Sequence, residues 1–172
     1  MNSIAPAEIN DAAELVALIN SAYRGESSKK GWTTEADLLD GEIRTDIASI
    51  TALLENSDAT ILKYTSTEGK ITGSVYLEKQ EKGLYLGMLS VSPLEQALGI
   101  GKHLMQEAEA YAKQNDCSLI FMKVISVRHE LIAWYEKQGY HKTDEVQPFT
   151  DTKFGTPKQP NEFIVLEKKL NC

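Results

Sequence analysis

The chain has 172 residues, 42% of them hydrophobic and 25% charged, with a formal net charge of -7. This is the composition of one ordinary globular domain, expected to span 1–172 with enough apolar material for a real core. The acidic balance excludes general binding to nucleic acid or to an anionic membrane, since both need a basic face.

In chain order, a short extended piece is expected at 2–4. Leu15, Val16, Ile19 and Tyr23 then recur at helical spacing, with Asn10 or Asp11 as N-cap and a stop near Arg24-Gly25. A loop at 27–32 leads into a second helical region, predicted from Thr33 or Thr34 to about Glu55, with Ile43, Ile47, Ile50 and Leu54 as its apolar stripe. Asn56-Ser57-Asp58 is turn chemistry. Strands are predicted over 59–65, 71–79 and 84–91, where Gly73 and Gly87 weaken the pattern or mark bulges. Ile100, Leu104, Met105, Ala108 and Tyr111 form a clear helical face. The run 119–125 has the length and β-branching of a buried strand. A helix over 130–138 ends at Gly139, and strands are predicted over 140–145 and 163–168 around a loop rich in Pro, Gly and Thr. This order implies a mixed sheet: hairpins early, then a crossover through the Ile100 helix.

The most informative stretch is Val91-Ser-Pro-Leu-Glu-Gln96-Ala97-Leu98-Gly99-Ile100-Gly101-Lys102-His103. A strand ends, a short loop follows, and a helix begins at the glycines. Unpaired N–H groups at a helix start attract negative charge, and two glycines leave room for a diphosphate to reach them. Lys102 and His103 add positive charge nearby. The same pattern also serves as a plain tight turn. It is not the P-loop, whose Gly-Lys-Ser/Thr ending is missing, nor the Rossmann fingerprint.

Gln96-Ala-Leu-Gly99-Ile-Gly101 resembles the Gln/Arg-x-x-Gly-x-Gly/Ala signature of the GNAT superfamily, the acyl-CoA-dependent N-acyltransferases. It follows Val91-Ser92-Pro93, as in that family. Downstream, Leu131-Ile-Ala-Trp-Tyr135-Glu-Lys-Gln-Gly139-Tyr140 is similar to the family's "fYeklGF" helix ending. The resemblance implies a central mixed β-sheet of about seven strands flanked by about four helices, and transfer of an acetyl group from acetyl-CoA to an amine of a small molecule or peptide. It also implies direct attack in a ternary complex, with no metal; because members are often dimers, a homodimer is allowed. The alternative is a non-catalytic acyl-CoA-binding sensor or scaffold.

Site roles follow from the same resemblance. Acetyl-CoA is expected between the strands 84–91 and 119–125, with pantetheine pairing to backbone around Leu89 and Val91 and a backbone N–H near Met88 or Leu89 facing the thioester carbonyl. The segment Gln96, Ala97, Leu98, Gly99, Ile100, Gly101 and Lys102 is the cofactor cradle, with Arg128 nearby. Tyr135 is the candidate general acid, set against the reading of a core tyrosine capping a backbone carbonyl. Glu26 is the first candidate base, with Glu78 and His129 as others and a water chain as a substitute for all three. Tyr23, Trp32 and Phe149 are expected as exposed-loop aromatics lining the acceptor pocket or packing loops onto the sheet. Arg24 or Arg128 is a candidate partner for an acidic group on the acceptor.

Departures from the family pattern are Ala97 and Arg128, where many members carry Gly and Asn, the acidic Glu95 beside the cradle, and Gly87-Met88, where many members carry a carboxylate base. Cys117 and Cys172 have neither metal-ligand spacing nor a place as nucleophile. Residues 1–10 carry no secretory signal pattern, and no apolar run approaches the roughly 20 residues that span a bilayer. The expected location is the cytoplasm.

Overall fold

The computed structural model describes residues 3–24, 35, 44–95, 98–148 and 162–170. Seven strands form one mixed sheet: β1 (Ser3–Pro6), β2 (Ala59–Thr65), β3 (Ile71–Lys79), β4 (Leu84–Val91), β5 (Leu119–Ile125), β6 (His141–Pro148) and β7 (Glu162–Lys169). Among the described residues four α-helices pack around it: α1 (Ala12–Tyr23), α2 (Ile47–Glu55), α3 (Ile100–Gln114) and α4 (His129–Lys137). The mixed α/β class expected from the sequence is the class observed. No helix among the described residues is long and apolar enough to cross a membrane.

The strand order is β1-β2-β3-β4-β5-β7-β6. β1 to β4 are antiparallel neighbours, and β4 and β5 form the parallel pair that α3 connects. The last strand, β7, inserts antiparallel between β5 and β6.

Strand periodicity divides the core into two layers, because successive side chains point to opposite faces. Leu62, Val75, Leu77, Leu84 and Leu86 pack with the α3 and α4 face. Their neighbours Ile61, Tyr76 and Tyr85 pack with α1 and Ile50 of α2 on the other face. Leu104 is fully buried in the first layer; truncating such a leucine to alanine typically costs about 2–5 kcal/mol.

Gly73 is fixed by a close approach rather than by its backbone angles. A Cβ there would lie 2.6 Å from Ile100 Cγ2 and 3.1 Å from Leu104 Cδ1. The glycine thus lets the first turn of α3 sit on β3. We expect Gly73→Ala to destabilise the fold by about 1–3 kcal/mol through overpacking, lowering Tm by roughly 2–4 °C per kcal/mol. An unchanged melting curve would refute the close approach.

One sequence expectation needs correction. The single helical region predicted from 33 or 34 to about 55 is interrupted at 44–46, and the described part of it that is helical is Ile47–Glu55. Asp46 is extended and accepts a hydrogen bond from the Ser49 N–H at 2.8 Å, which makes it the N-cap. Just before it, the Arg44 and Thr45 N–H groups donate to the Asn20 side-chain oxygen at 2.5 and 2.9 Å. This docking on α1 removes both groups from any helical ladder. Ile47, counted in the apolar stripe, is 55% exposed, whereas Ile50 is buried. Residues 36–43, with Ile43, lie outside the described residues.

Candidate active site

The site starts from an irregularity in β4. Ser74 pairs with Ser90 and Tyr76 with Gly87, so Met88 and Leu89 together oppose Val75. This is a β-bulge, and Met88 takes the left-handed conformation at φ 49°. A bulge bends its strand and leaves a backbone group outside the ladder. β4 pairs with β5 only at Leu84↔Ile120 and Tyr85↔Phe121. Beyond that register the two strands diverge.

A cavity of about 300 Å³ lies at the divergence. β4 lines it from Tyr85 to Leu89, and β5 from Met122 to Ile125. α1 contributes Tyr23, with Arg24 just past its end; Glu35 and Arg44 close another side, and Arg128, Leu131 and Tyr135 come from α4 and its start. Six residues singled out in the sequence therefore meet in one place: Tyr23, Arg24, Met88, Leu89, Arg128 and Tyr135.

The two tyrosines differ in engagement. Tyr23 is the last residue of α1 and is buried, not an exposed-loop aromatic as expected. Leu18, Ile19 and Ala22 of the same helix carry it into the core beside β4. Its hydroxyl donates to the Leu89 carbonyl at 2.5 Å, tying α1 to the bulge. Burial pushes this phenol up to about 12, against the opposing pull of the Arg128 charge. Tyr135 is also buried, its ring packed edge-on against Trp134 and Tyr140. Its hydroxyl has no hydrogen-bond partner among the described residues. Burial holds this phenol well above its ordinary range, with Arg128 again pulling the other way. A neutral phenol that still has a proton to donate therefore borders the cavity.

The remaining residues expected in the cofactor cradle lie from the end of β4 to the start of α3. Val91 is buried and pairs with Gly73. A 3-10 turn at Pro93–Glu95 follows. Gly99 is the N-cap of α3 in the left-handed conformation, φ 79°, with no side-chain cap on the helix. A Cβ there would meet nothing within 4 Å, so the need for glycine is conformational. Ile100 and Gly101 are buried, whereas Leu98 and Lys102 are exposed. A helix start without a side-chain cap, with glycines at 99 and 101, fits a diphosphate. Gln96 and Ala97 lie outside the described residues.

Of the base candidates, Glu26 lies outside the described residues, as do Trp32 and Phe149. Glu78 accepts hydrogen bonds from the Tyr76 hydroxyl and from Gln80, and does not line the cavity. His129 is exposed on α4, also off the cavity. Among the described residues, the carboxylate that does line it is Glu35, which sequence reasoning assigned no role. Arg24 holds its Oε1 from Nε at 3.2 Å and Nη2 at 3.0 Å. Arg44 Nε lies 3.9 Å from the same oxygen, and Arg128 Nη1 lies 3.6 Å from Oε2. Nothing in the spacing of these residues signals the cluster.

Residues 14–140 match the family model described as the acetyltransferase (GNAT) family. A search of curated protein sequences finds no match. Among solved structures, the fold is similar to ribosomal-protein-S18-alanine N-acetyltransferase from Escherichia coli, at 14% identity and a TM-score of 0.74, covering 100% of this chain and 96% of that one. Ribosomal-protein-alanine N-acetyltransferase from Brucella melitensis aligns at 20% identity and a TM-score of 0.72, over 98% and 99% of the two chains. The putative acetyltransferase yncA from Salmonella typhimurium, solved with its cofactor acetyl-CoA, aligns at 16% identity and a TM-score of 0.71, over 99% and 94%.

Proposed function

Because the chain belongs to the GNAT acetyltransferase family, we propose that it moves an acetyl group from acetyl-CoA to the amine of a small molecule or peptide by direct attack in a ternary complex. The observation that carries this reading is the unengaged Tyr135 phenol bordering a cavity at the point where β4 and β5 part. Acetyl-CoA supplies the activated acyl group. The diverging strands leave β4 backbone open to an extended pantetheine arm, and the glycine-flanked start of α3 receives the diphosphate. The Leu89 carbonyl already accepts from Tyr23, and its second lone pair remains for pantetheine.

Three groups then do the chemistry. A backbone N–H of the Met88–Leu89 bulge donates to the oxygen that gains charge as the amine attacks; one oriented donor in a dry site contributes about 3–4 kcal/mol. Tyr135 donates to the departing thiolate, balancing the proton that the amine loses. That proton leaves through water or through Glu26. A sensor that binds acyl-CoA without turnover is the second reading, favoured by the absence of a carboxylate at Gly87 and Met88. Release of free CoA from acetyl-CoA with a panel of amines and short peptides decides between them. Tight acetyl-CoA binding with no amine-stimulated release refutes the enzyme reading.

Direct transfer needs no acetyl-cysteine. Cys117 is buried among the apolar core residues under α3, away from the cavity. A Cys117→Ala, Cys172→Ser double variant is expected to keep kcat within about twofold, since neither thiol takes part in the ternary-complex route. Loss of turnover with an intact melting transition would point to an acyl-enzyme.

A further inference from the structure

Both layers of the core reach the cavity, and each brings to it a tyrosine whose hydroxyl is unengaged. Tyr135 belongs to the layer packed under α3 and α4, the side on which the start of α3 also lies. Tyr85 of β4 packs with the opposite layer, against α1, together with Met88. The acetyl-transfer mechanism uses the first phenol and leaves the second without a task. Tyr85 lies along its own strand. A Cβ at Gly87 would stand 3.0 Å from Tyr85 Cε2, 3.1 Å from its Oη and 3.2 Å from its Cζ. Residues two apart on a strand point to the same face, so the phenol fills the space that a side chain at 87 would take. Its hydroxyl end therefore lies next to the bulge that starts at Met88. Tyr76 and Phe121 hold the ring there, edge-on at 6.3 Å and tilted at 5.6 Å between centroids. Tyr85, Gly87 and Met88 all line the cavity and are all partly exposed. Among the described residues the Tyr85 hydroxyl has no hydrogen-bond partner. The Tyr23 and Tyr76 hydroxyls, by contrast, are engaged by the Leu89 carbonyl and by Glu78. Burial raises the Tyr85 phenol, with Arg44 opposing and Glu78 adding to the rise, so it is neutral at neutral pH and its oxygen can accept as well as donate.

Resting on the acetyl-transfer reading of the same cavity, we propose that Tyr85 is an acceptor-contact residue, whose hydroxyl oxygen accepts a hydrogen bond from an N–H of the incoming amine and aims the nitrogen lone pair at the thioester carbonyl by the Met88–Leu89 bulge. The diphosphate and the thiol come from the side of α3, where Tyr135 meets the departing sulfur. The amine then approaches from the side of α1, where Tyr85 stands. Holding the nucleophile in an attacking orientation removes part of the entropy cost of the step. Gly87 becomes a requirement of the site, because any side chain there displaces the phenol.

Bisubstrate analogues test the contact without a known acceptor. In one, the CoA sulfur bears an N-propylacetamide group, whose amide N–H stands where the amine nitrogen would be. In the other the same nitrogen also carries a methyl and has no N–H. Calorimetry compares both, with acetyl-CoA as control, on wild type and on Tyr85→Phe, which keeps the ring and its two aromatic neighbours. Tyr85→Phe should bind the N–H analogue about 3–10-fold more weakly than wild type does, the usual net worth of one hydrogen bond, and should bind the N-methyl analogue and acetyl-CoA as wild type does. Gly87→Ala displaces the same hydroxyl by another route and should weaken the N–H analogue selectively too. Combined with Tyr85→Phe it should remove no further N–H preference, since both changes act on one contact. Equal loss of the two analogues in both variants identifies a packing role and overturns the proposal, as does an unchanged N–H preference in both. A wild type that binds no acetyl-CoA rejects the cofactor reading and this proposal with it. A wild type that binds acetyl-CoA, with no coupling between the N–H and Tyr85, rejects the contact alone.

Discussion

Tyr135→Phe is expected to lower kcat by about 10²–10⁴, the usual worth of a positioned general acid. The substitution keeps the ring that packs against Trp134 and Tyr140, 5.2 and 6.1 Å away between centroids, so the core should hold. No hydrogen bond to a described residue is lost with the hydroxyl. Acetyl-CoA affinity should change little, since the helix start at Gly99 lies elsewhere. An acyl donor with a more acidic thiol needs the proton less, and the variant should be less impaired with it. Burial raises the Tyr135 pKa, so the acid form persists at and above neutral pH. No alkaline loss of kcat below about pH 10 should therefore trace to this phenol. Tyr23→Phe is the contrast: it removes the hydroxyl that holds the Leu89 carbonyl, so its effect should include weaker acetyl-CoA binding. Full kcat in Tyr135→Phe with a good acceptor would falsify the acid assignment, and loss of the fold would make Tyr135 a packing residue.

Gly101→Val should abolish most acetyl-CoA binding. Wild-type affinity is expected in the micromolar range, about -8 kcal/mol at 1 μM. Gly101 is buried in the first turn of α3, where the helix has no side-chain cap and its leading N–H groups are offered to a ligand. Three added carbons there occupy the approach of the diphosphate, and affinity should fall by about 100-fold or more, roughly 2.7 kcal/mol. Valine's helix propensity is no worse than glycine's, so the helix itself is not weakened by the exchange. Circular dichroism should accordingly show the fold retained. Equal calorimetric binding by wild type and variant would sink the cradle assignment.

The sequence by itself determined the local elements. The runs 59–65, 71–79 and 84–91, set off by turn residues such as Asn56-Ser57-Asp58 and Glu68-Gly69-Lys70, read as strands, and the strands appear there. Asp11 and Gly99 mark helix starts because caps are chosen by the chain's own backbone, and Gly139 closes α4 at φ 98° for the same reason. The glycine motif and the Tyr135 segment were legible because each is a short contiguous string.

What only the tertiary structure decided involves partners distant in the chain. Periodicity says that β7 has a face to bury, not that it slots between β5 and β6. The stripe through Ile47 and Ile50 was read as part of a longer helix, because no local signal shows Asn20 drawing Arg44 and Thr45 out of the ladder. The bulge at Met88 exists through its register against β3, and Tyr23 is buried through its contact with the bulge. The arginine cluster on Glu35 depends on three separate segments meeting at one opening. Hydrophobic pattern is a property of each segment alone, whereas charge complementarity belongs to the packed assembly of segments and becomes visible only there.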